Sequence, residues 1–352
     1  MIMRILLLLP FALPFVFASV CTTAAETEPK WRSSQLERKV SLRGSAVAEA
    51  SLWVTGTENA VFKSLDGGGS WQDVSVVGQP PTDFRDIEVF DDRTAMVMGV
   101  GSGSESRLYL TQDGGAHWKL LYENPDATGF FDAIAFWNRN DGMLLGDPVE
   151  GYYVVMLTRD GGRSWSRVAQ DHLPPMKPKE AAFAASGNTL IAGAGAGADG
   201  EAWFTTGGFA ASVYSTADFG QSWTRMPVPL YAETATAGGY ALAQNHKGQV
   251  FVLGGDFQNR PGEYPNLAAL GDQGWYAVSA GQRGLRTAMS CVDELCVITG
   301  KTGSDVSFDH GANWQPLPGE GYYTLAAGRG VILAAGHDGR VATLTMADRV
   351  EP

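Results

Sequence analysis

The sequence is poor in charge, cysteine and histidine, and each shortage excludes a class of protein. Charged residues make up 18% of the 352 positions, with five His and three Cys. Acidic residues outnumber basic ones by 38 to 26, a formal charge of −12, which argues against nonspecific binding to nucleic acid or to an anionic lipid surface. The His residues show no metal-ligand spacing, and no Gly-x-Ser-x-Gly motif is present. We therefore expect no metal, no cofactor and no nucleic-acid partner.

Long apolar runs are also missing beyond the N-terminus. Arg4 precedes an apolar run over Ile5–Ala18, and small residues follow, so residues 1–25 are expected to be a cleaved signal peptide rather than a membrane span. A lipid anchor on Cys21 is an open alternative, although Val20 stands where a small residue is expected before it. The mature chain is expected to be a soluble monomer, periplasmic or secreted, with no integral membrane segment.

The two cysteines left after the leader, Cys291 and Cys296, flank a turn at Val292–Leu295 between two apolar runs. Their sulfurs can meet across a hairpin, so we predict a structural disulfide, which fits an exported protein. A redox pair or two free thiols are the alternatives.

Glycine and aromatic residues, in contrast, are abundant. The chain has 44 Gly, 10 Trp, 16 Phe and 11 Tyr. With no Gly-X-Y period, this composition is typical of many short strands joined by tight turns. It argues against a helical bundle or a disordered chain.

One eight-residue pattern recurs along the chain: a hydroxyl residue, Asp two positions on, Gly two further and Trp three further. A side-chain oxygen of the Asp or of the hydroxyl residue can bond nearby backbone N–H groups, Gly tolerates a positive φ, and Trp can fill the gap between sheets. This predicts a hairpin turn rather than a catalytic or calcium site. The five copies are Ser64–Trp71, Thr111–Trp118, Thr158–Trp165, Thr216–Trp223 and Ser307–Trp314, with Asp66, Asp113, Asp160, Asp218 and Asp309.

The pattern resembles the Asp-box, or bacterial neuraminidase repeat, and its spacing predicts propeller blades. The Asp residues are 47, 47, 58 and 91 positions apart, and about 45 residues suit one four-stranded blade. A degenerate copy at Gly271–Trp275 fills the last interval. We therefore predict an all-β, seven-bladed propeller over residues 26–352, whose last blade is completed by the N-terminal segment. The predicted blades are 41–78, 83–124, 129–170, 180–229, 237–279, 283–318 and 321–350 with 30–38.

Candidate binding residues fall on one face of such a propeller, where the innermost strands begin and the second and third strands connect. Three arginines there can bind a carboxylate. An alternative is that Arg85 and Asp86 only join two blades and that the others are solvated. The candidates are Arg43, Arg85, Asp86, Asp132, Asp147, Trp203, Arg260, Glu263, Tyr264, Arg286, Tyr322 and Tyr323.

The five repeats, the opening Trp31–Arg43 and the segment Phe84–Ile87 resemble the photosystem II stability/assembly factor family of sialidase-like propellers. The resemblance covers essentially the mature chain and implies an exported, noncatalytic scaffold that holds a protein partner in the cell envelope, without implying a photosystem. An arginine-bearing patch is implicated in binding in that family, and Arg43 and Arg85 are the nearest matches here.

Sialidases also carry this repeat, so a sialidase-like glycoside hydrolase or a glycan-binding propeller is the alternative. Catalysis there needs an arginine triad, an Asp acid/base and a Tyr nucleophile activated by Glu. The candidates for these roles are Arg43, Arg85 and Arg286, Asp86 or Asp132, and Tyr322 or Tyr323 with Glu320. The Arg-Ile-Pro signature of that family is replaced by Leu42-Arg43-Gly44, which favours the noncatalytic role.

Overall fold

The computed structural model describes residues 29–194, 199–279 and 284–345, and the predicted signal peptide lies outside them. The chain forms seven four-stranded antiparallel sheets, which confirms the predicted seven-bladed β-propeller. Short apolar strands joined by glycine-rich turns account for this architecture. Each strand is only long enough to run once across the thickness of the ring before the chain turns back. No helix among the described residues is long and apolar enough to span a bilayer.

In blades 1 to 6 the strands run in chain order from the channel outwards. The strands of blades 1 to 4 are β2 (Leu42–Ala48), β3 (Ser51–Gly56), β4 (Val61–Ser64), β5 (Gln72–Asp73); β6 (Asp83–Val89), β7 (Ala95–Val100), β8 (Arg107–Thr111), β9 (Lys119–Glu123); β10 (Phe131–Phe136), β11 (Gly142–Val149), β12 (Tyr152–Thr158), β13 (Ser166–Arg167); and β14 (Leu190–Ala192), β15 (Ala202–Thr206), β16 (Ser212–Thr216), β17 (Thr224–Pro227).

Blade 7 takes its outermost strand from the N-terminal end of the described chain. Strand β1 (Arg32–Gln35) pairs with β28, Arg32 lying opposite Thr343, so the predicted ring closure is confirmed. The remaining strands are β18 (Ala237–Gln244), β19 (Val250–Asp256), β20 (Leu267–Gly271), β21 (Gly274–Ala277); β22 (Ala288–Val292), β23 (Leu295–Gly300), β24 (Gly303–Ser307), β25 (Gln315–Leu317); and β26 (Thr324–Gly328), β27 (Val331–Ala335), β28 (Arg340–Thr345).

The core consists of seven hydrophobic clusters, one between each pair of neighbouring blades. Each cluster contains a tryptophan ring. This ring comes from the turn that joins the third and fourth strands of a blade, or from the equivalent place in a blade without that turn. In the last blade, which has no such turn, Trp31 packs in the cluster between blades 6 and 7 and meets Tyr322 edge to face. The recurring tryptophans are Trp71, Trp118, Trp165, Trp223 and Trp314.

The five Trp-ended turns share one hydrogen-bond pattern. In the third turn, the N–H of Gly162 donates to the Thr158 hydroxyl at 2.8 Å, and the N–H of Ser164 donates to the Asp160 carboxylate at 2.9 Å. The same two bonds occur in the other four copies. In each copy, the Asp carboxylate accepts hydrogen bonds from its own turn. A structural role therefore explains why the same residues recur.

The sequence wrongly places an innermost strand at the start of blade 4. Residues 183–189, called the plug below, instead leave the sheet and end in a 3-10 turn at Gly187–Thr189 before β14 begins. Ser186 is fully buried and donates to the Thr287 carbonyl of blade 6, and Thr189 donates to the Tyr240 carbonyl of blade 5. The plug therefore enters the channel and is bonded to blades 5 and 6.

Candidate functional site

A β-bulge recurs near the start of the innermost strand in four blades, at the face of the ring where these strands begin, called the entry face below. In blade 1 the pairing register shifts between Leu42 and Gly44, and equivalent shifts occur in blades 2, 3 and 5. A bulge turns one side chain away from the regular alternation of a strand. The bulged residues are Arg43, Arg85, Asp132 and Tyr240.

Four basic side chains gather on the entry face around Tyr323. The guanidinium of Arg43 lies 5.0 Å from the centroid of the Tyr323 ring, and the ammonium of Lys301 lies 4.5 Å from it. The guanidinium of Arg260 lies 4.5 Å from the centroid of the Phe257 ring, and the ammonium of Lys301 also lies over this ring. Arg85, Arg43, Arg260 and Lys301 are called the cation cluster below.

The cation cluster has little acidic compensation. Burial lowers the pKa of Arg43, and the charge of Arg85 lowers it further. Burial likewise lowers the pKa of Lys301, followed by the charges of Arg260 and Arg43. Among the described residues, Arg85 is the one member that pairs with a carboxylate, its Nε lying 2.8 Å from Asp83. Cations held this close repel one another, so an anion bound between them relieves the repulsion.

A cavity of about 600 Å³ opens beside the cation cluster. Arg260, Lys301 and Tyr323 line it, together with His337, Gly321 and Glu320, whose carboxylate forms an ion pair with Arg340. Cations, an aromatic ring and glycine backbone suit a peptide segment that carries carboxylates. No group of three or more His, Cys, Asp or Glu is placed to hold a metal ion in the part of the chain that the structure describes.

Asp86 lies behind the plug rather than on the entry face. Its carboxylate accepts the N–H of Ile87 at 2.8 Å and that of Ile134 at 2.7 Å, so it joins blade 2 to blade 3. Burial raises its pKa to about 7. Gly187 of the plug packs so closely that any side chain there would collide with this carboxylate. Asp86 is therefore an inter-blade link, which is the alternative that the sequence offered to a binding role.

Arg286 is misassigned, because it is fully buried. Its Nη2 lies 2.9 Å from the Asp305 carboxylate, and neither side chain is exposed. Nη1 donates to the Gly303 carbonyl at 3.0 Å. The guanidinium is thus held inside blade 6 and does not join Arg43 and Arg85.

Two aromatic candidates belong to the core. Trp203 lies in β15, is 7% exposed and packs between blades 4 and 5. Tyr322 is 3% exposed and shares a hydrogen bond of 3.1 Å with the hydroxyl of Ser33. Neither presents a surface to a ligand.

The loop between β19 and β20 carries Glu263 and Tyr264 on the entry face. The Tyr264 ring stacks on Tyr231 at 5.0 Å, and its hydroxyl donates to the Asn259 carbonyl at 2.8 Å. Tyr264 therefore holds the loop in shape, whereas Glu263 is exposed near Arg260. On the opposite side of the face, Asp132 is buried and Asp147 is half-buried.

The residues named for a sialidase mechanism are not brought together. Arg286 is enclosed in blade 6, and Glu320 forms an ion pair with Arg340. Tyr323 is covered by Arg43 and Lys301 rather than by a carboxylate. The entry face thus offers a positively charged binding surface in place of that set.

Sequence reasoning missed Lys301 and Phe257, which are central to the cation cluster. Lys301 lies in the β23–β24 connection, and Phe257 lies in the β19–β20 connection. Each follows the second strand of its blade. Aligning these connections with one another, as was done for the Trp-ended turns, would have placed both residues on the entry face.

Solved structures share this fold at low sequence identity. YCF48 bound to D1 peptide superposes with a TM-score of 0.61 at 14% identity, covering 92% of this chain and 99% of that one. YCF48 from Cyanidioschyzon merolae gives the same TM-score and identity over 90% and 99% of the two chains. Virginiamycin B lyase from Staphylococcus aureus gives 0.52 at 13% identity over 91% and 100%. No protein-family model matches the sequence, and no curated protein does.

At 14% identity the similarity shows the propeller fold alone. The structural neighbours include a peptide-binding protein and a lyase, and one propeller fold carries many functions. Function must therefore be argued from the entry face itself.

The two cysteines predicted to pair form a disulfide in the structure. Cys291 and Cys296 lie opposite each other on β22 and β23, and their sulfurs are bonded. The bond lies on blade 6, at the turn joining its first two strands. This turn is on the face opposite the entry face.

Proposed function

We propose that the protein is a noncatalytic scaffold that binds an acidic segment of a protein partner on its entry face. The cation cluster carries this proposal: two of its four cations, Arg260 and Lys301, line one cavity, and one of the four has a carboxylate partner among the described residues. The whole chain has a formal charge of −12, so this concentration of positive charge is local. A partner carboxylate would bind there through charge-assisted hydrogen bonds.

The structural neighbours support a protein ligand. YCF48 has the same fold over nearly its full length, and its structure was solved with a D1 peptide bound. We extend peptide binding to this chain on the grounds of its own cation cluster, because 14% identity carries the fold alone. The partner of this chain is defined here by its acidic character.

We further propose that binding takes place in the cell envelope, in an assembly or chaperone-like role. The predicted signal peptide over residues 1–25 and the Cys291–Cys296 disulfide support an oxidising compartment outside the cytoplasm. Osmotic-shock fractionation of cells expressing the tagged protein tests this, with a cytoplasmic marker enzyme as the reference. Recovery of the tag with the cytoplasmic marker would contradict an envelope role.

Peptide binding is tested by fluorescence anisotropy with an acidic peptide and its lysine-substituted counterpart. We expect the acidic peptide to bind. Arg43→Ala combined with Lys301→Ala should weaken it by about 100-fold, since each charge-assisted bond is worth about tenfold. The matched control, Arg93→Ala with Lys247→Ala, removes the same charge from exposed turns on the opposite face. Equal losses in both double variants would reduce the effect to net charge and would contradict the proposed site.

A further inference from the structure

A second, oppositely charged group of side chains lies on the blade 3 side of the entry face. The register of β11 against β12 shifts between Gly146 and Val149, so Asp147 and Pro148 together lie across from Tyr153 on the neighbouring strand. Asp132 is the bulged residue of the adjoining strand, and the charge of Asp147 acts on its carboxyl. The charges of Asp132 and Asp147 both act on the Tyr153 hydroxyl. Asp132, Asp147 and Tyr153, called the acidic socket below, thus face one another on three adjacent strands.

The acidic socket contains buried polar atoms that lack a partner. Asp132 and Tyr153 are each 1% exposed, and neither Asp132 Oδ2 nor Tyr153 Oη has a hydrogen-bond partner in the structure. Buried polar atoms in folded proteins are nearly always hydrogen-bonded, so each exception calls for a missing group. Asp147 is half-buried and is therefore the most exposed member of the acidic socket.

The surroundings indicate that the missing group is a cationic donor. Arg85 is the cation whose charge acts on Asp132, but its Nε is bound to Asp83 and its Nη1 donates to the Ala184 carbonyl at 2.7 Å. The nearby Glu180 adds a third carboxylate, already bonded by the hydroxyls of Thr206 and Tyr214. This leaves the carboxyl groups of Asp132 and Asp147 without a bound cation. Water alone would satisfy them poorly, whereas an ammonium or guanidinium group would satisfy them well.

Burial raises the pKa of Asp132 well above its usual range, and the charge of Asp147 adds to this. A cation that enters the acidic socket would stabilise the ionised carboxylate and would therefore lower this pKa.

We propose that the acidic socket binds a lysine or arginine side chain of the protein partner. This inference rests on the proposed function, because the same partner segment would place its acidic residues on the cation cluster. Arg85, fixed by Asp83 and Ala184, lies between the two sites. The entry face would then select a segment in which acidic and basic residues occur at a set spacing.

The acidic socket is tested without any peptide by NMR. The protein is labelled with ¹³C at its side-chain carboxyls and titrated with n-butylammonium chloride. We expect the Asp132 and Asp147 carboxyl resonances to shift with n-butylammonium and to stay in place with the neutral analogue n-butanol. The exposed Glu150, in the next turn of the chain, is the internal reference. Shifts confined to Glu150, or no shifts, would overturn the proposal.

Specificity is tested with acidic peptides in which lysine or the uncharged isostere norleucine is placed at each position in turn. At one position lysine should lower the Kd by about tenfold relative to norleucine, the effect of one hydrogen-bonded charge. Asp147→Asn should abolish this preference, whereas Glu150→Gln should retain it. The Asp147 side chain makes no hydrogen bond among the described residues, so we expect the variant to fold, as near-UV circular dichroism would verify.

The outcomes separate the two proposals. Peptides that bind equally well with lysine and norleucine at every position would overturn the acidic socket and leave the proposed function standing. Shifts with n-butylammonium without binding of any acidic peptide would contradict the proposed function and support a cation site. A lysine preference that Asp147→Asn leaves unchanged would also overturn the socket.

Discussion

Arg43 of blade 1 lies over the ring of Tyr323 of blade 7, across the seam at which the propeller closes. The Lys301 ammonium of blade 6 lies over the same ring, so one aromatic side chain holds cations from two other blades. A tyrosine face can offset part of their mutual repulsion without neutralising their charge. Tyr323 therefore keeps the cations close together and still available to an anion.

Replacing Tyr323 should weaken acidic-peptide binding through the position of these cations. We expect Tyr323→Leu to raise the Kd by about 5- to 30-fold, because each cation–π contact at a partly exposed site is worth about 0.5–1 kcal/mol. Tyr323→Phe should bind within about twofold of the parent, because it keeps the ring. Anisotropy titrations of both variants measure the difference. Equal binding by the Leu and Phe variants would show that the ring does not organise the cation cluster.

The plug should contribute to stability through its bonds to blades 5 and 6. Ser186→Ala removes a fully buried hydroxyl that donates to the Thr287 carbonyl at 3.1 Å. We expect a loss of about 1–3 kcal/mol in the free energy of unfolding, measured by urea denaturation, because the carbonyl stays buried without its donor. The exposed Ser166→Ala, on the outermost strand of blade 3, is the control and should change it by less than about 0.5 kcal/mol.

Repetition made much of the fold predictable from the sequence. The spacing of Asp66, Asp113 and Asp160 defines a blade, and the absence of a repeat in the last blade points to closure by the segment around Trp31. These predictions succeed because each turn is a local structure, built from hydrogen bonds between residues at most four positions apart. Local patterns of this kind need no knowledge of distant residues.

The candidate site was predictable only in part, since it depends on contacts between distant blades. Arg43 is the second residue of the innermost strand β2, and Arg286 lies two residues before the innermost strand β22. Arg286 is enclosed because Asp305, two strands away, pairs with it, whereas Arg43 has Tyr323 beneath it. The plug was missed for a similar reason: its Ser, Gly and Asn residues are typical of an ordinary loop, and its partners are in blades 2, 5 and 6.

Stability should fall at both ends of the pH range, for opposite reasons. In the turns, side-chain and backbone hydrogen bonds from the residue four positions on hold the pKa of Asp66, Asp113 and Asp160 at about 2. Their contribution is complete above the unfolded value of about 4 and is lost as the pH falls towards 2. Burial raises the pKa of Asp86 to about 7, so its contribution is complete below about 4 and is lost as the pH rises to 7.

Urea midpoints measured from pH 2 to pH 8 should therefore be highest near about pH 4–5. Asp160→Asn should make the loss of stability at acidic pH (the acidic limb of the profile) shallower, because an asparagine side chain has no charge to lose as the pH falls. Asp171→Asn is the control, since that exposed carboxyl makes no hydrogen bond among the described residues and should leave the limb unchanged. A stability that rises steadily up to pH 8 would contradict the role given to Asp86.

The buried pair Arg286–Asp305 distinguishes a structural arginine from a binding one. Asp305→Asn leaves the guanidinium enclosed without its counter-charge and should cost about 3–5 kcal/mol in the free energy of unfolding. Replacing both residues, as Arg286→Met with Asp305→Leu, should cost much less, because the desolvation of two charges is removed along with their attraction. Thermal and urea denaturation of the single and double variants measure this difference.

Peptide binding completes the comparison. The Arg286→Met, Asp305→Leu double variant should bind the acidic peptide within about twofold of the parent if it folds, because neither side chain reaches the entry face. Arg43→Met should show the reverse, with little change in stability and about tenfold weaker binding. A large loss of binding in the folded double variant would return Arg286 to the binding site. The expected outcome assigns Arg286 to the core and Arg43 to partner binding, although each lies near the start of an innermost strand.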